Sequence, residues 1–240
     1  MTAEPRPPTA RLLGSNQDTT GGAIAPPFQI LRALVGRPDA VIFDVGASTG
    51  SSIARFLSAF ERPTIHSFEP QALAFGELHR VYGGRADMHL NNHALGDRVG
   101  IASLHRGNFA DTASLLAMAP DSWWLKSLNI NAGDASITVA LDTIDHYCAE
   151  HGVAMIDLLK LDIQGTEPEC LRGAQAMLGA GAVRVVLTEI IVHRAYSRPG
   201  SFAAIEAVLA PHGFRLFTLF DVIMAPDGEL LQLDAVYTRV

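Results

Sequence analysis

The chain has 240 residues, 48% of them hydrophobic and 18% charged, with a formal net charge of −7. This composition excludes overall disorder, which needs low hydrophobicity with high net charge, and it excludes a nucleic-acid partner, which calls for a basic face. Asp, Glu, Arg, His or Pro interrupts every apolar run before the roughly eighteen residues of a bilayer crossing, so a single sizeable core with no membrane span is expected.

Residues 1–27, rich in Pro, Thr and Gly, read as an irregular arm, and Pro5, Pro7 and Pro8 with no apolar stretch do not make a secretory signal. A cytoplasmic protein is expected, and Cys148 and Cys170, far from any CxxC or Cys/His cluster, read as buried thiols. A single domain is expected over 28–240, opening with a short apolar helix, Phe28 to Val35, that Gly36 and Pro38 close. AVIFDVG, SSIARFLSAF, PTIHSFEP and QALAFGELHRVY then alternate apolar runs with helical periods, the βαβα pattern of a parallel sheet covered on both faces. ADMHLNNHAL predicts a third strand, and VGIASLHRG an extra one paired with it or nearby. Asn108 to Gly133 loses periodicity and reads as a lid or substrate loop over the acceptor pocket. SITVAL predicts a strand and LDTIDHYCAEHG a helix capped by Asp142. DLLKLDI, VRVVLTEI, FRLFTLF and LDAVYTRV predict four more strands, separated by helices over Glu169 to Leu178 and Phe202 to Ala210.

The strand end at Asp44-Val45-Gly46-Ala47-Ser48-Thr49-Gly50 runs straight into a helix, and its small residues let backbone approach a bulky ligand. Tight helix-on-strand packing would explain the same turn. Glu69, ending the next strand, is placed to accept hydrogen bonds from two ribose hydroxyls, the alternative being a surface acid before Pro70. Ser48 stands where a dinucleotide fingerprint has its second Gly, and the Asp44 carboxylate would repel a pyrophosphate while attracting a cationic methionine moiety. S-adenosylmethionine is therefore favoured over NAD.

Lys160-Leu161-Asp162-Ile163-Gln164-Gly165 places polar side chains at the carboxyl end of an apolar strand, where open α/β sheets bind ligands. A structural ion pair is the competing explanation, since burying either charge unpaired is costly. His193 is the candidate general base, with Glu189 four residues earlier to orient it or bind substrate. Asp162, Glu189 and His193 could alternatively hold Mg²⁺. Trp123 and Trp124 are candidate flat walls for the substrate, Tyr196 and Arg198 candidate rim contacts, while His66 and His93 read as structural.

DVGASTG, HSFEP, NHALGD, LDTID, LLKLDIQGTEPECLRGA and VLTEI, in this order and spacing from about Ala40 to Val240, resemble the FkbM family of S-adenosylmethionine-dependent methyltransferases. The family more often has Glu where this chain has Gln164. The resemblance implies a class I, Rossmann-like α/β fold, a mostly parallel seven-stranded sheet with helices on both faces that ends in an antiparallel hairpin. It also implies O-methylation of a hydroxyl on a sugar, glycolipid, polysaccharide or polyketide-type natural product. Carried over residue by residue, Asp44 and Gly46 would line the methionine end and Glu69 the ribose, and Ser48 and Gly50 of the same turn are counted with the cofactor site. Ala94, Leu95 and Asp97 would lie near the adenine, and Asp162 would face the methyl-transfer site. A non-catalytic nucleotide-binding or partner-binding module on the same fold, and an NAD-dependent oxidoreductase, are the rival readings. A homo-oligomer is left open.

Overall fold

A computed structural model of the chain describes residues 11–13, 26–105, 113–117, 119, 122, 136–192 and 202–239. In chain order these form β1 (Arg11–Leu13), α1 (Pro26–Val35), β2 (Val41–Val45), α2 (Ser51–Ala59), β3 (Thr64–Phe68), α3 (Ala72–Tyr82), β4 (Met88–Asn91), β5 (Ala94–Leu95), β6 (Gly100–His105) and β7 (Ser136–Asp142). There follow α4 (Ile144–His151), β8 (Ile156–Leu161), α5 (Glu167–Arg172), α6 (Gln175–Gly179), β9 (Val183–Ile191), α7 (Phe202–Leu209), β10 (Phe214–Met224) and β11 (Leu230–Arg239).

The large sheet has the order β1-β10-β11-β9-β8-β2-β3-β4. Its pairs from β9 through β8, β2 and β3 to β4 are parallel, and β11 inserts antiparallel between β9 and β10. This is the expected Rossmann-like α/β arrangement. The strands β2, β3 and β8 are runs of branched and aromatic residues because helices cover both sides. Neighbours on β2 accordingly enter different cores, Ile42 joining Leu31, Phe56 and Ile65 while Phe43 joins Phe68, Tyr147 and Leu159. On α2, Ile53, Phe56 and Ala59 fall on one buried stripe.

Several local expectations are corrected. Arg11–Leu13, inside the stretch read as irregular, adds an eighth strand by pairing with Val222–Met224. The segment read as a third strand splits into β4, which stays in the large sheet, and β5. The latter joins β7 and β6 in a separate three-stranded sheet. Helix α4 is capped by Thr143, whose hydroxyl accepts from the His146 amide at 3.1 Å, while Asp142 accepts from the Thr143 amide instead. The helix expected over Glu169 to Leu178 breaks at Gly173, and Asp145 caps the second piece by accepting from the Ala176 and Met177 amides at 2.8 and 2.9 Å.

That break has a packing cause. A Cβ on Gly173 would collide with the Gly96 carbonyl and press on the Thr143 side chain. The Gly173 carbonyl also accepts from the Asp145 amide at 2.9 Å, and the Gly96 amide donates to Asp142 at 2.8 Å. NHALGD, LDTID and LRGA therefore meet in one close backbone contact, a structural reason for three of the motifs.

Candidate active site

The carboxyl ends of β2, β3, β8 and β9 open into a cavity of about 790 Å³ that continues to β10 and β11. At its β2 edge the chain turns through Gly46, whose φ is 80°. A Cβ there would collide with the Asp162 carbonyl, so the close approach of the two strand ends, together with the positive φ, requires glycine. Ser48, Gln164 and Asp221 are the positive-φ residues other than glycine among those described, and all three line the cavity. Strained backbone of this kind gathers where surrounding structure holds side chains in place for a ligand.

Glu69, at the end of β3, is buried in the cavity wall and accepts from the Ser48 amide at 2.9 Å and the Gln71 amide at 2.8 Å. Burial raises its carboxyl above the usual range against the pull of those two amides. The contact fixes the turn and the acid relative to each other. Ala94 and Leu95, the short β5, line the same end. So does His93, read from sequence as structural, whose pKa burial lowers.

Lys160 explains the next layer. In the parallel register of β2 and β8 it stands opposite Asp44, and its ammonium lies 3.1 Å from Asp44 Oδ1, 3.4 Å from Asp162 Oδ2 and 2.8 Å from the Gly46 carbonyl. Burial works against its charge, yet Asp44 and Asp162 raise its pKa above that of an ordinary lysine. Asp44 is fully buried, takes a second bond from Ser52 Oγ at 2.6 Å and does not line the cavity. Asp44, expected at the cationic cofactor end, thus lies beneath the cavity wall with its carboxylate against Lys160. Gly50 faces Tyr82 and Leu78, and Asp97 stands beside Arg98 at 3.2 Å, so neither lines the cavity either.

Toward β11 the cavity becomes acidic. Asp162 and Glu189 both line it, bridged by Gln164, whose amide donates to Glu189 Oε2 at 2.9 Å and to Asp162 Oδ1 at 3.3 Å. Gln232 donates to Glu189 Oε1 at 3.2 Å. Burial, with Asp162, Glu167 and Asp234 adding to it, holds the Glu189 carboxyl well above the usual range. Asp234, Gln232, Asp221, Arg55, Phe28 and Phe220 complete this end. None of these six was singled out from sequence. The one available signal was Asp234 as a charge inside the apolar run LLQLDAVY.

The residues present do not fit a divalent cation. Both Glu189 oxygens face amide hydrogens, and a cation at Asp162 would sit against the Lys160 ammonium, 3.4 Å from Asp162 Oδ2. They do fit an adenosyl cofactor, since a glycine cradle too tight for any Cβ and a buried acid share one cavity wall. His193, Trp123, Trp124, Tyr196 and Arg198 lie outside the described residues. Most of the stretch read as a lid does so too. Within it Ser114 is buried, pairs with His105 and donates from Oγ to the Gln164 carbonyl at 2.7 Å, so this part sits directly on the site.

The "2-O-methyltransferase NoeI" of Sinorhizobium fredii is 28% identical over 156 residues, 61% of this chain and 62% of that protein, so the matched part is less than two thirds of the relative's length. The "31-O-demethyl-FK506 methyltransferase FkbM" of Streptomyces tacrolimicus is 29% identical over 218 residues, 79% of this chain and 78% of that one. Among solved structures, a precorrin-6y C5,15-methyltransferase from Geobacter metallireducens aligns with a TM-score of 0.46 at 9% identity, over 95% of this chain and 94% of its own. A Methanococcus jannaschii fibrillarin pre-rRNA processing protein aligns with a TM-score of 0.48 at 12% identity, over 86% of this chain and 68% of its own. Residues 44–216 match the "Methyltransferase FkbM domain", most of the chain, from Asp44 near the end of β2 to Leu216 in β10, and the chain belongs to that methyltransferase family.

Proposed function

We propose that the chain transfers a methyl group from S-adenosylmethionine to a hydroxyl of a sugar, glycolipid, polysaccharide or polyketide-type natural product. One observation carries this reading: a single cavity joins the Gly46–Ser48 turn and Glu69, past Asp162, to Glu189 and Asp234. The O-methyl chemistry in the names of both relatives supports a hydroxyl acceptor.

In this reading Gly46 and Ser48 hold the methionine end of the cofactor, Glu69 the ribose, and Ala94 and Leu95 border the base. When bound, the cofactor supplies a methyl group on a positively charged sulfur. Asp162, in the wall between the two ends, faces that region, and Lys160 keeps its carboxylate oriented. Positioning alone supplies a large share of such a displacement, roughly 7–11 kcal/mol in well-oriented cases. Phe28 and Phe220 offer apolar walls to the acceptor, and Gln232 and Arg55 offer donors. Around them Asp162, Glu189, Asp221 and Asp234 outnumber Lys160 and Arg55, which favours a neutral acceptor over a phosphorylated one.

The experiment is to supply S-adenosylmethionine labelled in its methyl group together with neutral methyl glycosides and macrolide alcohols. Label recovered in a glycoside or macrolide ether is the expected result. Cofactor binding with no transfer would favour the non-catalytic module, and affinity for NAD(H) the oxidoreductase.

A further inference from the structure

On β11, Asp234 stands directly opposite Glu189 of β9 in the antiparallel register, and both side chains enter the acidic end of the cavity. The two carboxyl groups are not equivalent. Glu189 is buried and has an amide donor on each oxygen, from Gln164 and from Gln232. Asp234 is half-buried, and its carboxylate has no hydrogen-bond partner among the described residues. One acid is therefore engaged by the fold, while the other is open to whatever enters.

From this placement we propose that Asp234 is the general base of the methyl transfer, taking the proton of the acceptor hydroxyl. The inference rests on the O-methyltransferase reading and names a residue for it. As the acceptor oxygen bonds to the methyl carbon, its proton passes to Asp234. The breaking carbon–sulfur bond leaves its electron pair on sulfur, so the positive charge of the cofactor is discharged. The protonated carboxyl returns its proton to water after the ether leaves.

The surroundings suit the task. Burial, then Asp162 and Asp221, push the Asp234 pKa up to about 7, against the opposing pull of Lys160 and Arg55. A carboxyl poised near the operating pH is a better proton acceptor than an ordinary one. Glu189, whose carboxyl burial also raises, has both oxygens engaged by the Gln164 and Gln232 amides, which leaves Asp234 as the acid open to the acceptor. Phe220 is the β10 register partner of Asp234, and Phe28, with Arg55 over its ring at 5.8 Å, lines the same cavity, so apolar walls for a hydroxyl-bearing ring accompany this acid.

The test combines activity and direct titration on the full chain. With a methyl glycoside that the wild type methylates, Asp234→Asn is expected to lower kcat at least about hundredfold. The acceptor KM and the affinity for S-adenosylhomocysteine should stay within about threefold. The wild-type rate should rise with pH to a plateau, with a midpoint near neutrality. A variant with near-wild-type kcat, or with KM alone raised, would overturn the assignment. Carbon-detected NMR of aspartate-labelled wild-type protein with S-adenosylhomocysteine bound gives an answer that does not depend on the variant or the acceptor. One aspartate carboxyl should titrate near neutrality, and titration of every aspartate in the ordinary carboxylate range would refute the proposal. A wild type that methylates no glycoside or macrolide would instead count against the O-methylation reading, a separate outcome.

Discussion

Lys160 and Asp44 form an ion pair at 3.1 Å beneath the glycine turn, fixed by a parallel register that sets one opposite the other on β8 and β2. Asp44 is fully buried, so removing the lysine leaves a charge without its partner. Lys160→Met is expected to cost about 3–5 kcal/mol of stability, and pairing it with Asp44→Asn should recover much of that loss. Urea unfolding of the two variants checks this. A single variant that loses less than about 1 kcal/mol would show that the pair does not support the turn.

The contact between Gly173 and Gly96 predicts a purely structural lesion. Gly173→Ala places a methyl group against a backbone carbonyl that cannot swing away, so a loss of about 1–3 kcal/mol or more is expected. Thermal unfolding measures it. A wild-type Tm would mean that the close approach of the NHALGD and LRGA segments is not tight.

Glu167 gives stability a pH dependence of known sign. Its Oε1 accepts from the Ile163 and Gly165 amides at 2.9 and 3.2 Å, yet burial pushes its pKa up to about 7 from 4.5. Between those values the folded chain holds a proton that the unfolded chain has lost, so stability falls as pH rises and is greatest below the unfolded value. The whole window amounts to about 3 kcal/mol. Glu167→Gln keeps an acceptor oxygen and removes the titration. The variant should therefore gain on the wild type between about pH 5 and about pH 8 by an amount on the order of 2–3 kcal/mol, as read by urea unfolding at both. A constant difference between the two proteins would contradict the buried, titrating state of Glu167.

Local pattern reveals much of this fold and part of the site. The runs around Phe43, His66 and Leu159 announce strands covered on both faces, and the Gly46 turn and Glu69 follow from strand ends meeting helices. Pairings set by register do not announce themselves in this way. Nothing near Asp44 indicates that Lys160, 116 residues later, will take its charge, although a lysine inside LLKL needs a counter-ion somewhere. Asp234 is similarly hidden. Its place opposite Glu189 depends on β11 inserting antiparallel beside β9, and the walls it shares with Phe28 and Arg55 come from helices at the other end of the chain. The helix break at Gly173 was obscured because the apolar spacing of Leu171, Ala174 and Leu178 reads as continuous, while the contact that interrupts it is tertiary.

Calorimetric titration with S-adenosylmethionine, on the wild type and on Glu69→Ala, tests the cofactor's place in this cavity most directly. One molecule is expected to bind per chain of the wild type, and affinity should be at least about tenfold weaker in the variant, some 1.4 kcal/mol, with the fold retained. Equal affinity in the two proteins would contradict the ribose role of Glu69, and no binding by the folded wild type would contradict the account as a whole.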